Sequence, residues 1–174
     1  VAIICGGLSL GEYAALQAAG SLSMPDTLRL VAERGRLMDQ ACRQSEGGMA
    51  AVIGGEPALI QNVCENCGID VANYNCPGQI VISGAKDGLR QAMQTLTAAG
   101  LRVVELQVAG AYHSRLMQPA ADAFLPLLQI CQIKTPTSMV VQNASGQRET
   151  KPDDIRRNLA RQVAGSVLWE DCAR

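Results

Sequence analysis

Aromatic side chains are nearly absent from this sequence: one Trp, one Phe and three Tyr make up 3% of 174 residues. A core without them has to be built from Leu, Val, Ile, Ala and Met, and 48% of the chain is hydrophobic. That length suffices for one globular core with a small inserted lobe. Excess charge of either sign is missing too, with 15 basic and 16 acidic side chains. A nucleic-acid binder needs a basic face to meet phosphates, so no nucleic-acid partner is expected. No apolar run approaches the roughly 20 residues that span a bilayer, so no membrane partner is expected either. Lysine is confined to Lys86, Lys134 and Lys151, which leaves arginine to carry the positive charge. Gly and Pro, 17 and 7 residues, show no collagen period, and there is no long polar tract. Disorder over the whole chain is thereby excluded. There is one histidine, His113.

Seven cysteines, at positions 5, 42, 64, 67, 76, 131 and 172, lack the paired regularity of a secreted disulfide scaffold. Cys64-Glu65-Asn66-Cys67 is a CxxC. A zinc site wants a second CxxC or a nearby His, and neither is present, so no metal is expected. A redox pair belongs at a helix N-terminus after a strand, whereas this pair closes an apparent helix. The expectation is free thiols in a reducing compartment. That compartment is the cytoplasm, or a plastid or mitochondrion if the source is eukaryotic, with any targeting segment invisible here. Both ends look cut from a longer protein. The chain enters on the apolar strand Val1–Cys5 and stops at Arg174, part-way through what reads as a helix from Trp169.

Hydrophobic periodicity and turn residues predict a strand over 1–5, a Gly-rich turn over 6–11 and a helix from about Leu10 to Ala19, closed by Gly20. A second helix starts after Ser23-Met24-Pro25-Asp26 and runs to about Arg43, with Leu28, Val31, Ala32, Leu37, Met38 and Ala41 as its apolar positions. From residue 47 to 110 the order is βαββαβ: strand 49–53, helix 57–67, strands 69–73 and 79–83, helix 86–99, strand 101–108. That order is the ferredoxin-like signature. A helix near 116–129, a strand over 136–142 and a helix near 152–161 follow. The expected fold class is α/β: a core with a parallel sheet flanked by helices, made from 1–46 and 111–174, carrying a ferredoxin-like subdomain at 47–110.

Gly7-Leu8-Ser9-Leu10-Gly11 is G-x-S-x-G between a strand and a helix. The glycines permit a sharp turn that projects the Ser oxygen, and the helix N-terminus brings free N–H groups beside it. The N–H of Leu10 then points where an oxyanion forms. The alternative is a plain Gly-rich turn. A serine alcohol needs a base to take its proton, and His113, after Gly110-Ala111-Tyr112 at the exit of the inserted lobe, is the only imidazole available. A lone histidine is otherwise more often structural. No downstream Asp or Glu has a special setting, so an amide or a main-chain carbonyl could orient the ring, and Gln162 could do this. Arg34 reads either as a surface arginine paired with Glu33 or Asp39, or as a bidentate clamp for a substrate carboxylate.

Taken together, these stretches resemble the malonyl-CoA:acyl carrier protein transacylase family. The resemblance is carried by Gly7-Leu-Ser-Leu-Gly-Glu-Tyr13, Glu33-Arg-Gly-Arg-Leu-Met38, Gly48-Met-Ala-Ala-Val52, Asn73-Tyr-Asn-Cys-Pro-Gly-Gln79 with Val81-Ile-Ser-Gly84, Gly110-Ala-Tyr-His-Ser114, and Arg161-Gln162 with Val167-Leu-Trp169. It implies an α/β-hydrolase-like core with the ferredoxin-like insert. It implies a malonyl-serine at Ser9, His113 as base, Arg34 on the malonyl carboxylate and Gln162 orienting the histidine. Leu10 would supply an oxyanion N–H, and Asn73 and Asn75 would border the cleft. Leu10 and Tyr112 look like the malonyl rather than the methylmalonyl type, since an aromatic beside the base fills the room a branch methyl needs. The implied partners are malonyl-CoA and acyl carrier protein, with no cofactor, and the implied process is fatty acid synthesis. The carrier is expected to be acidic, with Arg115, Arg156, Arg157 and Arg161 as candidates for a basic rim.

The sequence departs from the family at Leu8, often His, and at Ser166, usually Pro. It also lacks the family's opening strand with a Gly-Gln-Gly loop, whose backbone completes the oxyanion hole, and a C-terminal strand with a Gly-Pro turn. The segment is therefore expected to be weakly active or inactive by itself. Three further readings stand beside the main one: an acyltransferase domain of a polyketide synthase, an esterase using the same elbow, and a non-catalytic truncated or scaffold protein.

Overall fold

The computed structural model describes residues 3–174 and has an α/β architecture with two sheets, each with its own apolar core. Of the expected first strand, Val1 and Ala2 lie outside the described residues, and β1 is Ile4–Cys5. A turn leads into α1 (Gly11–Ala18), which ends on Gly20 in the left-handed conformation expected of a helix-closing glycine. Helix α2 (Met24–Gln44) starts on Ser23, whose side-chain oxygen accepts the Asp26 N–H.

The buried stripe of α2 is Thr27, Leu30, Arg34, Leu37, Met38 and Ala41. The expected stripe was offset at its start: Leu28 is 62% exposed. The period is helical either way, but the face that packs is fixed by α5, which lies against it. This offset puts an arginine on the apolar side.

The chain then forms β2 (Gly47–Ile53), α3 (Pro57–Asn66), β3 (Asp70–Cys76), β4 (Gln79–Ala85), α4 (Lys86–Ala98) and β5 (Arg102–Leu106). The four strands make an antiparallel sheet in the order β3-β4-β2-β5. Ile60, Val63 and Cys64 of α3 and Leu89, Ala92 and Leu96 of α4 cover one face, packing on Ala50, Val52, Val71, Ile80 and Ile82. The other face presents Met49, Ala72 and Val81 to the rest of the molecule, with Tyr112 packed against them. Entry and exit of this unit touch: a Cβ on Gly47 would stand 2.7 Å from the Cβ of Ala111.

After a 3₁₀ turn at Arg115–Met117 come α5 (Gln118–Ile130), β6 (Met139–Gln142), β7 (Gln147–Glu149), α6 (Pro152–Ala164) and α7 (Trp169–Ala173). Strand β6 pairs parallel with β1, as the expected parallel sheet requires, but β7 returns antiparallel on its other side. That hairpin was not anticipated. Its turn is set by Gly146 at φ +64°, and a strand of three residues leaves almost no periodic signal. Phe124, Leu128, Ile155, Leu159, Leu16 and Val140 are fully buried together in the main core. The two cores are stitched by a parallel bridge between Asn73 and Val167.

All seven cysteines are free. Burial pushes the Cys64 thiol up to about 12, which suppresses its thiolate. No helix among the described residues is long and apolar enough to cross a membrane.

Candidate active site

The Gly7–Gly11 turn between β1 and α1 is as tight as two backbones allow. A Cβ on Gly7 would lie 2.2 Å from the carbonyl carbon of Gly11, while a Cβ on Gly11 would meet nothing within 4 Å. Only the first glycine of the motif is required by close approach. The turn drives Ser9 to φ +50°, and His113 stands at φ +55°. These are the two non-glycine residues with positive φ among the described residues, a conformation L-residues adopt only when surroundings impose it.

The side chains of the two meet. Ser9 Oγ lies 2.8 Å from His113 Nε2. On the far side of the ring, Nδ1 lies 2.8 Å from the main-chain oxygen of Gln162. A carbonyl oxygen can only accept, so Nδ1 carries the ring proton and Nε2 is free to accept the proton of Ser9. Burial lowers the His113 pKa to about 4, helped by the nearby Arg34 charge and opposed by the Gln162 carbonyl. The ring is therefore neutral, and able to act as a base, throughout the physiological range.

Arg34 arrives from the buried stripe of α2. Its Nη2 donates to Ser9 Oγ at 2.9 Å and to Gln162 Oε1 at 3.1 Å. Its guanidinium carbon lies 5.7 Å from the centre of the Tyr13 ring, and its Nε is buried with no partner. The arginine is 5% exposed and paired with neither Glu33 nor Asp39; Glu33 bonds Arg36 and Asp39 bonds Arg43. Of the two readings of Arg34, the surface ion pair is ruled out.

Ser9, Leu10, Arg34, Asn73, Tyr112 and His113 line one cleft of about 400 Å³, with Leu8, Gly35, Met38 and Met49 completing its walls. The small sheet thus forms one wall, and the register shift in β3 beside Asn73 aims that residue at the cleft. The Leu10 N–H, at the start of α1, donates to no group among the described residues.

Two other expected site residues lie elsewhere. Asn75 bonds Gln79 across the β3–β4 hairpin and does not line the cleft. Gln162 is fully buried behind Arg34 and His113, where a substrate cannot reach it. It orients the histidine through its main chain, while its side-chain Nε2 donates to Ser9 O and to Glu12 Oε2, both at 3.0 Å. The expected basic rim is largely consumed by internal contacts. Arg115 pairs with Asp70 at 2.7 Å, Arg157 pairs with Asp154, and Arg156 reaches the Cys131 carbonyl.

Sequence reasoning missed Glu12 and Asn143. Glu12 is fully buried, and Asn143 ties the elbow to the end of β6. The available signal for Glu12 was its place on the first turn of α1, three residues after Ser9. Asn143, far away in sequence, gave none.

A serine held at a strand–helix elbow, with a neutral imidazole on its oxygen and a free N–H beside it, can accept an acyl group and pass it on. The comparisons agree: the chain belongs to the acyl transferase domain family, which it matches over residues 2–165. It is similar to the malonyl CoA-acyl carrier protein transacylase of Bacillus subtilis (strain 168), 39% identical over 171 residues, covering 95% of this chain and 54% of that protein. It is also similar to the polyketide biosynthesis protein ThaF of Burkholderia thailandensis, 43% identical over 172 residues, covering 97% of this chain and 15% of that protein. Among solved structures it superposes with TM-score 0.93 on a complex of a type II PKS acyl-carrier protein with its malonyl-transacylase. The identity there is 34%, over 97% of this chain and 56% of that one. The chain thus spans about half the length of the curated transacylase it matches.

Proposed function

We propose that this chain carries the acyl-transfer centre of a malonyl-CoA:acyl carrier protein transacylase of fatty acid synthesis. The observation that carries the reading is the meeting of His113 Nε2 and Arg34 Nη2 on the single oxygen Ser9 Oγ, in a cleft between two sheets. The names of the Bacillus relative and of the transacylase–carrier complex support the acyl donor and the carrier.

In the first half-reaction, Ser9 Oγ gives its proton to His113 Nε2 and attacks the thioester carbonyl of malonyl-CoA. The carbonyl oxygen, now negative, takes the Leu10 N–H at the positive end of α1. The C–S bond breaks, and the CoA sulfur leaves with the proton from Nε2. In the second, the phosphopantetheine thiol of the carrier protein gives its proton to Nε2 and attacks the malonyl-serine ester. Ser9 Oγ leaves and recovers the proton. Arg34 swings from Ser9 Oγ to grip the malonyl carboxylate, while Tyr112 and Leu10 limit the room at its α-carbon and Asn73 borders the acyl chain. Asn75, away from the cleft, is given no role. The cycle as written uses no metal or organic cofactor.

The fold reading that accompanies this is an α/β-hydrolase-like core, 1–46 and 111–174, with a ferredoxin-like subdomain at 47–110. The parallel β1–β6 pair with its elbow supports the first, and the order β3-β4-β2-β5 with both helices on one face supports the second. The proposed compartment is the cytoplasm, or a plastid or mitochondrion in a eukaryote, in keeping with seven free thiols.

A second setting, the same transfer in polyketide assembly, is favoured by the Burkholderia relative. Intact-mass spectrometry after incubation with malonyl-CoA tests the common chemistry. A malonyl adduct, absent from Ser9→Ala, is expected on this chain or on the longer polypeptide that completes the oxyanion hole; a longer polypeptide that folds and stays unmodified overturns the reading. Transfer onward to fatty-acid and polyketide carriers in parallel separates the two settings.

A further inference from the structure

Glu12 is a fully buried carboxyl group that the proton path does not use. Its surroundings are one-sided. Oε1 accepts from Gln142 Nε2 at 2.9 Å, and Oε2 accepts from the Asn143 N–H at 2.7 Å and from Gln162 Nε2 at 3.0 Å. Every partner donates, which suits a carboxylate and nothing else of that shape. Burial pushes the carboxyl above its ordinary 4.5, and these same hydrogen bonds, with the Arg34 charge, pull it back.

The three donors come from two places, Gln142 and Asn143 at the end of β6 and Gln162 in α6, and Asn143 and Gln162 lead to the two reacting side chains. Asn143 accepts the Ser9 N–H on Oδ1 and donates to the Gly7 carbonyl from Nδ2, at 2.6 and 3.0 Å. Gln162 donates to the Ser9 carbonyl and, through its own main-chain carbonyl, receives Nδ1–H of His113. The side-chain amide of Gln162 lies between opposite charges, Arg34 on Oε1 and Glu12 on Oε2 of the carboxylate facing Nε2. Those charges decide which way the amide points.

We propose that Glu12 is a positioning residue: its carboxylate gathers the end of β6 and helix α6 onto α1, so that Ser9 and His113 meet in reacting geometry. This rests on the acyl-transfer reading above. An isosteric amide at position 12 would set an NH₂ against at least one N–H donor. The mismatch loosens the seat of α6 on α1, and with it the Gln162 main-chain carbonyl that anchors the imidazole.

The test uses the full 174-residue chain labelled with ¹⁵N-histidine, in which the one imidazole gives one set of signals. Wild type should show a single Nδ1–H tautomer. A folded Glu12→Gln should show mixed tautomers. Its rate of Ser9 malonylation should fall about 100-fold with KM unchanged, the usual scale for a misplaced reacting group. Glu12→Asp keeps the charge but cannot reach all three donors, so it should fall between the two on both readouts. Folded variants with the wild-type tautomer and rate overturn the proposal. So does failure of both to fold, which would make the carboxylate a requirement of folding rather than of positioning. The tautomer readout needs no malonyl-CoA, so a wild type that is never acylated, even within the longer polypeptide, would sink the functional reading while leaving this one tested.

Discussion

The side-chain oxygen of Asn143 lies 2.6 Å from the main-chain nitrogen of Ser9, although 134 residues separate them in sequence. The same amide donates to the carbonyl of Gly7. The elbow is therefore held from outside by one residue at the end of β6, which pins the turn on both sides of Leu8. Replacing it tests how far the turn depends on this clasp. Asn143→Ala leaves the Ser9 N–H without its acceptor, and unsatisfied buried groups cost about 1–3 kcal/mol each. Urea unfolding should show a loss of that size, and Ser9 acylation should slow.

The two glycines of G-x-S-x-G are not equivalent. Gly7→Ala forces a Cβ into the Gly11 backbone, which cannot move aside, and should open the elbow, abolish acylation and lower the melting temperature. Gly11→Ala meets open space at the first residue of α1 and should be neutral or stabilising by up to about 1 kcal/mol. Thermal melts of the two single variants decide this, and similar losses in both would refute the distinction.

His113 should show its anomaly on titration. Its folded pKa, about 4, lies below the ordinary 6.5, so between those values the unfolded chain binds more protons than the folded one. Stability from this group is complete above pH 6.5 and drains away as pH falls towards 4. Glu12 has the opposite sign: its folded value is raised, so its contribution is present below 4.5 and is lost as pH rises through the folded value. Acylation should accordingly lack an acid limb near 6.5 and fall only near 4, and the imidazole NMR signals should follow the same curve. A midpoint near 6.5 would mean that the ring is solvated.

In the proposed role, Arg34 should separate charged from uncharged acyl groups. Arg34→Ala removes the group proposed to grip malonate, and charge-assisted hydrogen bonds of about 1.5–3 kcal/mol translate into roughly 10- to 150-fold. Malonyl transfer should fall by at least that factor. Acetyl transfer should fall less, through the lost hydrogen bonds to Ser9 Oγ and Gln162 and the lost packing on Tyr13. Equal losses with both donors would remove the clamp.

The parts of the site legible in the sequence were those with a local or a scarcity signal. Ser9 sat in a five-residue pattern between strand and helix, and His113 stood out because no other imidazole exists. The βαββαβ order was readable because each element carried its own period. What could not be read were relations between distant residues. Arg34 stays open between a surface ion pair and a clamp until the packed face of α2 is known, and that face depends on α5. Gln162 falls inside α6 because the helix continues three residues past Arg161, and it serves through a main-chain atom that its identity does not reveal. Glu12 and Asn143 are ordinary polar residues until the fold brings their partners to them.

Ser9 and His113 both hold backbone angles that suit glycine better than themselves. Folding and chemistry therefore pull in opposite directions at two positions. If the proposed acyl transfer holds, a chain released from it would gain by placing glycine or asparagine there, by on the order of 1–2 kcal/mol at each site. Such substitutions in a descendant would read as a fossil of abandoned catalysis: a protein that melts higher because it has stopped working.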